Sequence, residues 1–233
     1  MTSSKRKNGR AFDETRKIEA KAGVIQKADG SAYFKIGDTT AYAAVYGPRQ
    51  LHPRFLQDPK KGLLRCNYNM MPFSAGDRVR PGPSRRSKEI SMVTQKALLP
   101  VVNLDEYPNA VVDVFIELPE TDAGSRCAGI CAASIALADA GITMRDMVAA
   151  ISAGKVGKDI VVDLDGEEEH IEDVDVADIP VAMIPSTDEI TLLQMDGKIS
   201  PEELLKAIEM VKPVLKKIAE IQRKALKDKF KVE

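Results

Sequence analysis

Apolar and polar positions alternate through the first fifty residues. Segments 17–25 (KIEAKAGVI), 31–36 (SAYFKI) and 39–47 (TTAYAAVYG) read as strands, and the ADGS and GD stretches between them supply turn chemistry, so a meander is expected. HPRFLQDPKKG at 52–62, with two prolines and a glycine, reads as a loop, followed by a strand at 63–73. Residues 74–86 are rich in Gly, Pro and Arg and read as a second loop. In 87–104 the spacing of Ile90, Val93, Ala97 and Val101 changes to a helical period, with Pro100 kinking or ending the helix. Alternation returns in AVVDVFIEL at 110–118 and delivers the chain to TDAGSRCAGICAASIALADAG at 121–141. There Ala128, Gly129, Ile130, Ala132, Ala133, Ile135, Ala136 and Leu137 surround the axis, which predicts a helix over 125–139 buried on most sides.

The second half repeats the order. Strands are expected at about 147–155, 159–164, 179–184 and 189–195, then a long helix opening on SPEE, with Ser200 as N-cap, Pro201 in the first turn and Glu203 completing a capping box. Leu204, Ile208, Val211, Leu215, Ile218 and Ile221 form its apolar stripe, interrupted by Pro213. Strands then helix, twice, point to an α+β fold with an internal pseudo-repeat. Residues 1–10 read as a disordered basic arm, and 11–233 as a single domain.

Charge narrows the choice of partner. Among 233 residues, 34 basic and 35 acidic ones leave a net charge of −1, so a polyanion must be met by a local patch rather than a global field. No run of about eighteen apolar residues is present to span a bilayer, and the first twenty residues lack the apolar stretch of a secretory signal, so a cytoplasmic location is expected. Three cysteines, an odd number, are expected to be reduced. Cys127 and Cys131 lie four apart, but neither histidine stands at a zinc spacing, and buried thiols are the better reading.

Three places carry candidate chemistry. At the mouth of the 125–139 helix, Ser125 is expected as N-cap. Arg126 puts a positive charge where the helix dipole is already positive. An anion held by backbone N–H groups, a hydroxyl and a guanidinium would remove that misfit; the plainer alternative is an arginine reaching for Asp122 or for solvent. RVRPGPSRR gathers Arg78, Arg80, Arg85 and Arg86, suited to nucleic-acid phosphates or simply to water. DLDGEEEHIEDVDVADIP, 163–180, concentrates carboxylates: a solvated loop, or the source of a residue such as Asp178 that acts as a general acid or holds Mg²⁺. No Walker loop, dinucleotide fingerprint or nucleophile elbow occurs.

PSRR, DVFIELPETDAGSR, ALADAGI and ADIPVAMIP, in that order, resemble the RNase PH family, and within it the catalytic RNase PH-like subunits of the archaeal exosome. The similarity runs from about RKIEAKAGV to the terminal helix. It implies duplicated βαβ-type halves with a ribosomal-protein-S5-domain-2-like fold. It also implies phosphate-dependent 3′-to-5′ degradation of single-stranded RNA to nucleoside 5′-diphosphates, reversible into tail addition. A hexameric ring of three heterodimers with an inactive paralogue, capped by RNA-binding subunits, goes with it. By position, Gly124, Ser125 and Arg126 match the inorganic-phosphate site, Arg85 and Arg86 the RNA grip, and Arg54 a basic loop at the neck of the ring. Asp178 matches the second of two family carboxylates, and Asp173, Glu169 or Glu172 the first. Mg²⁺, or Mn²⁺, is expected on Asp178 and Asp173. Rival expectations are a ring subunit that binds RNA without turnover and a stand-alone enzyme trimming transfer RNA.

Overall fold

Side chains alternate from Val112 to Leu118 in the strand Ala110–Glu120. Val112, Val114, Ile116 and Leu118 face inward while Asp113, Phe115 and Glu117 face out, so the strand must lie in a sheet covered on one side. A computed structural model describes residue 6, residues 8–171 and residues 174–231. In it the strands are β1 (Ile18–Ala22), β2 (Gly30–Ile36), β3 (Thr39–Gln50), β4 (Leu63–Met70) and β5 (Ala110–Glu120), in sheet order β1-β2-β3-β5-β4. The expected meander is there: β1, β2 and β3 pair antiparallel in succession, and β5 adds antiparallel to β3. β4 runs parallel to β5, and the required crossover is the helix α1 (Arg85–Leu98), which packs on β4.

A second, antiparallel sheet is formed by β6 (Ala149–Val156), β7 (Asp159–Val162), β8 (Val176–Ile184) and β9 (Glu189–Leu193), in the order β7-β6-β8-β9. Between the sheets lies α2 (Ser125–Asp139), touching β2, β3 and β5 on one side and β6 and β8 on the other. That position explains its composition. A helix pressed from two sides needs small residues, and a Cβ at Gly129 would stand 3.3 Å from Ile116 Cγ2. One hydrophobic core runs from Phe34, Tyr68 and Ile116 through Ile130 and Ile135 to Ile151 and Ile218. Each fully buried side chain of this kind contributes about 1.5–3 kcal/mol relative to exposure.

The short helix α3 (Gly166–Glu169) sits in the acidic stretch, and α4 (Pro201–Lys229) closes the chain against β6 and β1. α4 starts as expected, with Ser200 and Glu203 in a capping box, and runs through Pro213 to Lys229. α1 ends before Pro100, and it begins earlier than the apolar spacing predicts. Ser84 caps it through a reciprocal bond with Ser87, so Arg85 and Arg86 belong to its first turn rather than to a loop.

The arm expected to be disordered over residues 1–10 is tied down where it is described. Arg6 is buried. It donates through Nε to Glu168 (2.7 Å), through Nη1 to the Val162 carbonyl (2.7 Å) and through Nη2 to the Asp163 carbonyl (2.7 Å), and pairs closely with the second Glu168 oxygen. Arg10 donates to Asp163 and Asp165, and Asn8 to Asp165. Partners more than 150 residues away in the chain could not be foreseen from a polar N-terminal sequence.

One position tests the seat of α2. A Cβ on Gly30 would lie 2.2 Å from the Ala140 backbone nitrogen and 2.5 Å from the Ala136 carbonyl oxygen, both rigid parts of the C-terminal turn of α2. Gly30→Ala is expected to lose stability at the upper end of the ~1–3 kcal/mol range for overpacking. The urea midpoint measures it, and an unchanged midpoint would mean that β2 and α2 are not locked together.

Candidate active site

Both halves of the chain contribute to a cavity of about 680 Å³. Its walls include Arg86 from α1, the turn 121–124 with Ser125 and Arg126 of α2, Glu169 and His170 after the acidic run, Asp178 of β8, and Gln194 to Gly197 beyond β9.

The turn before α2 is fixed by its backbone. The Thr39 hydroxyl donates to the Ala123 carbonyl (2.7 Å) and accepts from the Asp122 N–H (3.0 Å). Gly124 has φ 70°, in the left-handed region where a side chain is strained, and it is the N-cap. Ser125, expected in that role, is instead the first helical residue, because glycine takes the conformation that ends the turn. No side chain caps α2, and its first-turn N–H groups have no intrahelical partner. Gly124, Ser125 and Arg126 all face the cavity.

Arg126 does not reach for Asp122. It donates through Nη1 to Gln194 Oε1 (2.5 Å), and Gln194 Nε2 donates to Glu89 Oε1 (2.8 Å), so a residue just beyond β9 and one from α1 hold the guanidinium over the mouth of α2. Arg86 occupies the equivalent place in the first turn of α1 and lines the same cavity; Arg85, exposed beside it, does not. Two helix N-termini thus each carry an arginine against their own dipole toward one space. Anionic oxygens placed there gain from both charges and from the free N–H groups. Arg54 lies in a short 3₁₀ turn (Arg54–Leu56) outside the cavity lining.

The opposite wall is acidic. Asp178 is half-buried, and its carboxylate accepts from the Ser152 hydroxyl. Its backbone pairs with Asp196, N–H to carbonyl in both directions at 2.8 and 2.9 Å. Burial raises the Asp178 pKa above the usual aspartate range, while the Ser152 bond and the Arg126 charge pull it back. Glu169 ends α3. Burial first, then the Asp178 and Asp122 charges, push its carboxyl up to about 7, with His170 and Arg16 pulling the other way. A carboxyl so raised holds a proton closer to neutral pH than an ordinary glutamate does. His170 Nδ1 is 2.8 Å from the Gly166 carbonyl, which requires the tautomer protonated at Nδ1.

The acidic stretch is thus sorted by its neighbours. Asp165 and Glu168 form the capping box of α3, and Arg6 and Arg10 hold Glu168 inward. The next residue, Glu169, faces the cavity. Glu172 and Asp173 lie outside the described residues. Among the described residues no group of three or more His, Cys, Asp and Glu side chains is gathered as a metal site. The three thiols are buried and unpaired, and burial drives Cys66 and Cys131 up to about 12, so none is a nucleophile. Gln194, Asp196, His170 and Ser152 escape a sequence reading. They stand in no recognisable motif; the pairing of β6, β8 and β9 brings Ser152, Gln194 and Asp196 to the site, and the end of α3 brings His170.

The arrangement supplies an anion seat on one wall and a protonatable carboxyl on the other, with no covalent nucleophile among the described residues. It suits transfer of a phosphoryl group between two oxygens.

Comparison with known proteins points the same way. Residues 14–143 match the model for domain 1 of the 3′ exoribonuclease family (RNase PH), and residues 146–212 match that for its domain 2. The chain is 50% identical over 228 residues to the exosome complex component Rrp41 of Thermococcus gammatolerans, covering 96% of this chain and 90% of that one. It is 49% identical over 226 residues to the Rrp41 of Nitrosopumilus maritimus, covering 97% and 91%. Among solved structures, rice (Oryza sativa) Rrp46 superposes with a TM-score of 0.82 at 23% identity, covering 95% of this chain and all of that one, which establishes the fold.

Proposed function

Because the chain belongs to the RNase PH family of 3′ exoribonucleases, we propose that the cavity is where inorganic phosphate cleaves the 3′ end of RNA. The protein is a phosphorolytic 3′-to-5′ exoribonuclease and an exosome subunit of the type found in archaea. One observation supports assigning the reaction to this cavity. The uncapped N-terminus of α2, with Gly124, Ser125 and Arg126, shares it with Glu169, a carboxyl that keeps its proton near neutral pH.

The chain's own residues divide the work. Orthophosphate sits on the α2 N–H groups, the Ser125 hydroxyl and Arg126. Arg86, with Arg85 beside it, holds the terminal RNA phosphate and lowers the repulsion between two anions. An oxygen of the orthophosphate bonds to that phosphorus as the bond to the penultimate ribose O3′ breaks, and the terminal nucleotide departs as a nucleoside 5′-diphosphate. The proton that the leaving O3′ needs comes from Glu169, and Asp178, fixed by Ser152, keeps Glu169 from ionising early. Mg²⁺ or Mn²⁺ when bound would draw charge from the reacting phosphates. Asp178 and Asp196, mutually repelling carboxylates at the cavity wall, would hold it.

The protein works in a multi-subunit RNase PH-like ring. We propose that the ring is three heterodimers with a catalytically inactive paralogue, that RNA-binding subunits cap it, that Arg54 stands at its neck and that it acts in the cytoplasm. Among the described residues no helix is long and apolar enough to cross a membrane.

The test is direct. The assembled ring, given single-stranded RNA, should degrade it only when phosphate is added and release nucleoside diphosphates. With diphosphates in excess it should lengthen RNA, because one phosphate linkage replaces another. Monophosphate products without a phosphate requirement would exclude this reading.

A further inference from the structure

Glu169 and the Gly124–Arg126 corner come from different halves of the chain, yet the reaction needs them at a fixed separation. One side chain joins the two segments that carry them. Arg16, two residues before β1, is half-buried, its side chain 9% exposed. It donates through Nη1 to Asp122 Oδ2 (2.8 Å) and through Nη2 to the Ala123 carbonyl (3.1 Å), both in the turn that delivers Gly124. On the other side it donates through Nη2 to Asp163 Oδ1 (2.8 Å) and through Nε to Asp163 Oδ2 (3.0 Å), and its backbone N–H donates to Asp163 Oδ2 as well (2.7 Å). Asp163, 2% exposed, begins the segment that leads through α3 to Glu169, and its φ of 59° is a conformation that a non-glycine residue keeps only when its surroundings impose it.

Asp122 completes the bridge. Its Oδ1 accepts from the Gly166 N–H (3.0 Å), the first residue of α3, while Arg16 holds its Oδ2. The contact is close enough that a Cβ on residue 166 would stand 2.2 Å from Asp122 Oδ1. The planar guanidinium suits this place because its donors point in fixed directions at two carboxylates and a carbonyl at once; an ammonium would have to choose among them.

We propose that Arg16 is a positioning residue of the reaction: by joining the 121–124 turn to the 163–166 segment it sets where bound phosphate stands relative to Glu169, without touching substrate. This rests on the phosphorolytic reading above. The fold itself has a reserve, since Arg10 also donates to Asp163, at 3.3 Å to Oδ2 and 3.0 Å to the carbonyl. Cutting Arg16 leaves that buried carboxylate a cationic partner, so the loss falls on alignment.

Arg16→Ala in the assembled ring is expected to lower kcat by about 10²-fold, the scale of a misplacement near 1 Å. KM for phosphate should rise while KM for RNA stays within about twofold of wild type, because Arg85 and Arg86 sit on α1, which Arg16 does not touch. Arg16→Lys should recover little. Guanidinium ion at a non-denaturing concentration should restore part of the kcat of Arg16→Ala and do nothing for wild type. If Arg16→Ala fails to assemble, Asp122→Asn carries the same test, with the same selective rise in phosphate KM. Wild-type kcat and phosphate KM in these variants, or equal loss in both KM values with no guanidinium rescue, would overturn the proposal. A wild-type ring that makes no diphosphates would take the functional reading down with it, whereas diphosphates from wild type and from Arg16→Ala at equal rates would remove Arg16 alone.

Discussion

Arg126→Ala in the assembled ring is expected to lower the phosphorolytic kcat/KM by about 10²–10³-fold, the usual cost of removing one preorganised charge-stabilising donor. Saturation by phosphate should weaken with it, since the substituted side chain is the cationic part of the anion seat. Two further readings make the result diagnostic. RNA binding, measured by filter retention without phosphate, should hardly change, because Arg85 and Arg86 remain in α1. The thermal midpoint should hold or rise slightly, because the substitution takes a positive charge away from the positive end of a helix dipole. Loss of activity together with loss of stability would assign Arg126 to the fold. Unchanged activity would place the anion elsewhere.

Glu169→Gln should be at least as damaging, at about 10²–10⁴-fold in kcat, the range for a lost general acid. The pH profile separates it from other defects. Wild type should lose activity as the pH rises above about 7, where Glu169 gives up its proton. The variant should lose that dependence while keeping whatever part belongs to the ionisation of phosphate itself. Stability follows pH in the same direction. A carboxyl raised from 4.5 to about 7 binds its proton more tightly in the folded protein, so the folded state is penalised increasingly as pH rises from about 4.5 to 7, and constantly above. Glu169→Gln removes the charge and with it the penalty. Its thermal midpoint should therefore exceed that of wild type at pH 8 by more than at pH 5. A gap that narrows with rising pH would mean that Glu169 is ionised and satisfied in the fold, and so no acid.

The two substitutions together bear on the rival expectation of a ring subunit that binds RNA without turnover. In such a subunit both residues would be idle, and neither change would alter phosphate-dependent decay by the ring. A stand-alone enzyme trimming transfer RNA would instead respond to both changes with no partner chain present.

Much of the fold was legible along the chain. The period-two alternation of β5, the small-residue composition of α2 and the Ser200–Glu203 box of α4 are local, and each states its own burial or cap. So was the unusual placement of Arg126, which is a matter of neighbours in sequence. The partners were not legible. Arg126 goes to Gln194 rather than Asp122, because Arg16 already occupies Asp122 and the pairing of β8 with β9 brings Gln194 to the helix mouth. The cap of α2 passed from Ser125 to Gly124 because a backbone angle, not a side-chain type, ends that turn.

The acidic stretch shows the division most clearly. Read in order, the carboxylates from Glu167 to Asp173 look alike, and the sequence, through its family resemblance, offered Asp173, Glu169 or Glu172 as the partner of Asp178. Tertiary structure sorted two of these neighbours, because Arg6, 162 residues from Glu168, takes it into a buried pair while Glu169 lines the cavity. Periodicity, capping and helix polarity act over a few residues and are written in spacing. Charge pairing and desolvation act through space, and they acquire their values only when the two sheets close over α2.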